Sequence, residues 1–114
     1  MDRKAQIRRY KQTPRPMGVF RVRNTASARS LVGTSVDLPS MLNRQRFQLE
    51  SGAHSDRGLQ ADWDAGAPCA FEFEVLDTLE PLDDPGYDPA ADLEMLKTVW
   101  VERLVESGEA LYGK

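Results

Sequence analysis

The side chains of this sequence that could do chemistry are mostly cations. Arg3, Lys4, Arg8, Arg9, Lys11, Arg15, Arg21 and Arg23 crowd the first 23 positions, and Arg44 and Arg46 come later. A basic run of this kind suits phosphates, because each cation that neutralises a phosphate releases condensed counterions and strengthens binding at low salt. The acidic residues lie elsewhere: residues 1–50 hold 11 Lys/Arg against 3 Asp/Glu, and residues 51–114 hold 4 against 15. A competing reading is therefore that the two halves neutralise each other, within the fold or across a dimer. Arg44 and Arg46 are open to the same two readings, phosphate contact or a solvated helix face. There is one histidine, His54, able to contact a phosphate or simply to cap a helix start. The single cysteine, Cys69, excludes a disulfide framework within one chain and reads as a small buried hydrophobe in a reducing, cytoplasmic setting.

The elements that must position these groups are legible from periodicity. The 114 residues fit one domain. No apolar run approaches the ~18 residues of a membrane span. The basic start has no apolar stretch behind it and is not a secretory signal. Residues 1–15 read as a basic extension, helical over 2–11, that stops at Pro14 and Pro16. Residues 16–114 form the domain. Gly18 to Arg23 alternates apolar and basic side chains, a strand with one wet face. Ser30 to Ser35 returns beside it after a loop of about six residues. Asp37 caps a helix with Pro39 in its first turn and Leu38, Leu42 and Leu49 on one face; Ser51-Gly52 ends it. Ser55 is the expected cap of a second helix, anchored by Leu59 and Trp63. Ala70 to Asp77 is a third strand, with Phe71, Phe73 and Val75 opposite Glu72 and Glu74. A loop holding Pro81 and Pro85 leads to Asp88-Pro89, which opens a last helix striped by Leu93, Leu96, Trp100 and Leu104. The expected fold is α/β (α+β), order (α)-β-β-α-α-β-α, with a three-stranded, mainly antiparallel sheet flanked by helices.

In this order the sequence resembles the GIY-YIG nucleases. Gly18-Val19-Phe20 and Leu31-Val32-Gly33 stand where that family has its two eponymous motifs, and Ser35 and Leu38 match the serine and leucine that the family places after the second glycine. His54, Leu59-Gln60, the strand from Phe71 to Asp77 and the pair Trp100-Val101 continue the series, over roughly residues 16–113. The resemblance implies a scaffold for metal-assisted phosphodiester hydrolysis. Tyrosines would position or deprotonate the attacking water, an arginine would steady the phosphate, and a glutamate on the last helix would hold a divalent cation.

The positions that the resemblance assigns to that chemistry hold other residues. Phe20 and Leu31 stand at the two tyrosines, so neither hydroxyl is present. Met41 stands at the arginine, Gln45 at a frequent histidine, and Lys97 at the metal-holding glutamate. Leu111-Tyr112-Gly113 stands at a closing Gly-Tyr-Asn, without the asparagine. Of this set only His54 is retained. Lys97 weighs most, since an ammonium repels the cation that a carboxylate would hold. Without the resemblance, Phe20 and Leu31 read as core or sheet-face residues, Met41 as helix packing, and Trp63 and Trp100 as core anchors.

These residues leave three functional expectations. The first is a degenerate, non-catalytic or very weakly active nuclease-like protein that binds DNA, RNA or a protein partner. Its phosphate contacts would come from Arg8, Arg9, Arg15, Arg21, Arg23, Arg44, Arg46 and His54, without a cofactor. The second is an active endonuclease with a relocated site, in which Glu94, one turn before Lys97, holds Mg²⁺ or Mn²⁺ and Arg44, one turn after Met41, holds the phosphate. The third is a self-associating structural protein that pairs its basic half with the acidic half of another copy.

Overall fold

The computed structural model of the chain describes residues 16–66, 70–80 and 86–113. The expected N-terminal helix, the basic residues up to Arg15, Cys69, Pro81 and Pro85 lie outside the described residues.

Strand β1 (Met17–Asn24) carries apolar side chains on both faces, and that fixes its place at the centre of the sheet. Phe20 and Val22 point one way, Met17 and Val19 the other, and all four are buried. β1 pairs antiparallel with β2 (Arg29–Ser35) on one side and with β3 (Phe71–Leu79) on the other. The face expected to be wet is therefore covered: Arg21 and Arg23 are half-buried beside Val19. The hairpin loop is shorter than expected, four residues from Thr25 to Ala28, because Asn24 and Arg29 already pair. It closes with Ala28 in the left-handed region, φ 54°.

The sheet has four strands rather than the expected three, in the order β3-β1-β2-β4. The addition is β4 (Ala110–Leu111), which runs parallel to β2 opposite Arg29 and Ser30. Two residues are too few to carry a readable alternation. β4 forms because of how the preceding helix ends. Helix α3 (Ala90–Glu106) stops at Ser107, and Gly108 comes next at φ 97°. The Gly108 N–H bonds the Val105 carbonyl and the Glu109 N–H bonds the Leu104 carbonyl. This Schellman pattern needs a residue at ease with positive φ, and it turns the chain back onto the sheet edge.

Helices cover both faces. α1 (Leu38–Glu50) starts on Asp37, whose carboxylate accepts from the Ser40 N–H at 3.2 Å, and Pro39 sits in its first turn as expected. α2 (Arg57–Ala65) is capped by Asp56, not Ser55: the Asp56 carboxylate accepts from the Leu59 N–H at 3.0 Å. Leu38, Leu49, Leu59 and Trp63 from these helices bury against Phe20, Val22, Phe71 and Tyr112. Each fully buried leucine contributes about 1.5–3 kcal/mol. α3 packs on the opposite face, where Leu93 is buried and the Trp100 indole N–H donates to Asp77 at 3.0 Å. No described helix is long and apolar enough to cross a membrane.

Candidate functional site

The two glycines of the hairpin are held by packing. A Cβ at Gly18 would lie 2.0 Å from the Asp77 carbonyl oxygen. There β3 presses close to β1, at a bulge where Val19 faces Asp77 and Phe20 faces Val75. A Cβ at Gly33 would lie 2.7 Å from Cζ of Phe20, the residue opposite in the ladder. The Phe20 ring thus rests on the bare backbone of Gly33. It is 3% exposed, so it serves the core and does not reach solvent.

Beyond β4 the outer edge of β2 has no partner strand among the described residues, and a cleft of about 530 Å³ opens between that edge and α3. Leu31 and Val32 form one wall. Glu94, Lys97, Thr98, Val101 and Glu102 form the other, and Leu111 to Gly113 close the end. Leu31, Lys97 and the Leu111-Tyr112-Gly113 segment, all singled out by the resemblance, therefore meet in one cleft, whereas Phe20, Met41, Gln45 and His54 do not line it. Lys97 is half-buried and has no ion pair among the described residues.

Met41 packs against the same apolar cluster as Phe20 and Leu31. From Met41 a polar chain runs along α1: Gln45 Nε2 donates to Met41 Sδ at 3.4 Å, and Gln45 Oε1 meets His54 Nε2 at 2.5 Å. His54 Nδ1 accepts the Asp56 N–H at 3.0 Å. An acceptor at Nδ1 requires the neutral ring's proton at Nε2, so the imidazole donates to Gln45. Both ring nitrogens are committed and the residue is 4% exposed. Burial holds its pKa below the usual histidine value, against the opposing charge of Asp56. In this state His54 ties α1 to the cap of α2 and offers no donor to a phosphate.

A divalent cation does not fit the donors of the cleft. Glu94 and Glu102 both line it, but eight helical residues separate them by about 12 Å along the axis. Lys97 lies between them. No three His, Cys, Asp or Glu side chains come together among the described residues.

The basic residues divide into two groups. Arg21 Nε donates to Glu74 at 2.6 Å, and Arg23 Nε and Nη2 donate to Glu109 at 2.8 and 3.3 Å. Glu109 also accepts from the Ser30 hydroxyl at 2.6 Å. Burial pushes the Glu109 carboxyl up, but the Arg23 and Ser30 hydrogen bonds and the charges of Arg23 and Arg21 outweigh it and hold the pKa below the usual carboxylate value. These two arginines already hold carboxylates. Arg44 and Arg46 sit exposed on α1, with the Arg46 guanidinium 4.4 Å from the Phe73 ring centre. Arg8, Arg9 and Arg15 lie outside the described residues.

Sequence reasoning does not single out Glu109, although a glycine just past the stripe of α3 is a helix-stop signal. It finds Tyr112 only as part of a motif remnant. The Tyr112 hydroxyl donates to Asp62 at 2.6 Å and accepts from Asn24 at 3.3 Å, and the Arg29 guanidinium lies 4.7 Å from its ring centre. Burial, then the bond to Asp62, raises its pKa. It locks the chain end onto the core.

No protein-family profile and no curated protein sequence matches the chain. Two solved structures do. A mutant of the catalytic domain of intron endonuclease I-TevI aligns at TM-score 0.65 and 20% identity, over 83% of this chain and 90% of that one. The catalytic domain of homing endonuclease I-TevI aligns at TM-score 0.63 and 21% identity, over 82% and 94%. The likeness shows a GIY-YIG-like fold.

Proposed function

We propose that this GIY-YIG-like domain binds nucleic acid and does not cut it. The observation that carries the reading is the pairing of Leu31 with Lys97 across one cleft. The family resemblance puts a water-positioning hydroxyl and a metal-holding carboxylate at those two places. A methyl-tipped side chain cannot take a proton, and an ammonium disfavours the cation. Losing one such preorganised group costs about 3–4 kcal/mol in a transition state, and groups acting as a unit do not recover when only some remain.

Binding rests on the cations that have no ion pair among the described residues, above all Arg44 and Arg46 on α1, together with the basic segment 1–15. The test is a titration of fluorescent DNA and RNA oligonucleotides over a series of salt concentrations. The reading expects affinity that falls steeply as salt rises, with a log–log slope of about two or more. Absence of binding to both nucleic acids at low salt would reject it and leave a protein partner.

The relocated-site nuclease is the second reading, and the presence of Glu94 in the cleft is what favours it. Divalent-metal-dependent cleavage that disappears in Glu94→Ala would establish it. Self-association through opposite charges is weakened by the ion pairs Arg21–Glu74 and Arg23–Glu109, which join the basic and acidic halves within one chain.

A further inference from the structure

Phe47 stands 69% exposed at the outer face of α1, and it is the one large apolar side chain of that helix left in solvent. Its neighbours one turn back are Asn43 and Arg44, both exposed, and Arg46 adjoins it in sequence. α1 carries no carboxylate before Glu50. A protein interface would surround such an anchor with further apolar side chains, whereas here the helix neighbours are an amide and two guanidinium groups, with the exposed Glu50 carboxylate one turn on. An isolated ring among cations matches a nucleobase joined to phosphates. A duplex keeps its base faces stacked inside, so the ring would find nothing to cover there. A single strand offers those faces freely.

We infer that α1 is a single-strand platform: one base stacks on Phe47, while Arg44 and Arg46 take the flanking phosphates. This rests on the nucleic-acid reading above and specifies its substrate class. The Arg46 guanidinium lies over the Phe73 ring, 4.4 Å from its centre, which restrains it on the sheet rather than free in solvent.

The experiment compares a labelled oligothymidylate with a duplex of equal length, by fluorescence anisotropy at low salt, for the intact chain, Phe47→Ala and Phe47→Trp. Because residue 47 is exposed, both variants should keep the thermal midpoint of the parent. The expected result is tighter binding of the single strand. Phe47→Ala should weaken it about tenfold or more and leave duplex affinity unchanged. Phe47→Trp should restore it. Single-strand binding that survives Phe47→Ala within about twofold overturns the platform alone. Absence of binding to either oligonucleotide by the parent chain overturns the nucleic-acid reading and the platform with it.

Discussion

His54 is held in a structural role by both of its ring nitrogens. Its two nitrogens bridge the Asp56 amide and Gln45, so protonating Nδ1 would break the bond that sets the start of α2. Burial lowers its folded-state pKa from 6.5. Its contribution is therefore whole above pH 6.5 and is lost as pH falls below that value towards the folded pKa. Urea denaturation across this window should show falling stability for the parent chain. His54→Asn, which keeps an acceptor near the Asp56 amide and cannot titrate, should give a flatter curve there. An equal decline in both would remove His54 as the cause. Glu109 acts in a separate, more acidic window, since its pKa lies below 4.5 and its stabilisation is lost only as pH falls through that lower value. At this scale the sequence was readable where a residue's type decides its place. Phe20 is buried as its type demands, while Leu31 is half-buried at the wall of the cleft. The sequence was unreadable for Glu109, because the partners Arg23 and Ser30 lie 86 and 79 residues away and nothing local marks the pairing.

At the scale of elements, the hairpin is held by fit between Phe20 and Gly33. Gly33→Ala should destabilise the domain by about 1–3 kcal/mol through overpacking, read as a shift in the denaturation midpoint. Phe20→Leu, which withdraws the ring, should make Gly33→Ala cheaper than it is in the parent. Additive effects of the two changes would show that the ring contact is not the cause. The apolar periodicity of β1, α1, α2, β3 and α3 made these elements legible, with their ends shifted by a residue or two. Their order was legible as well. β4 was not, since a two-residue strand has no period and depends on Gly108 reversing the chain after α3. The covered second face of β1 is illegible for a similar reason: alternation with arginine looks wet until β3 and the turn after α3 bring Glu74 and Glu109 to it. Ser55 and Asp56 are equally good caps by type, and only the reach to the Leu59 amide separates them.

The whole molecule has a GIY-YIG-like architecture. The charge split along the sequence is partly closed inside the fold, where Arg21 and Arg23 meet Glu74 and Glu109 across the sheet. Among the described residues, Arg44 and Arg46 stay exposed on α1. The cleft beside β2 holds an ammonium between two distant carboxylates, an arrangement poor for gripping a hard cation. The most direct measurement is the fate of supercoiled plasmid incubated with the full chain and Mg²⁺ or Mn²⁺, with and without chelator. The plasmid should stay supercoiled in every lane, even at protein concentrations that retard it on a gel. Nicked or linear product that forms with metal and vanishes with chelator would contradict the proposal that the domain does not cut.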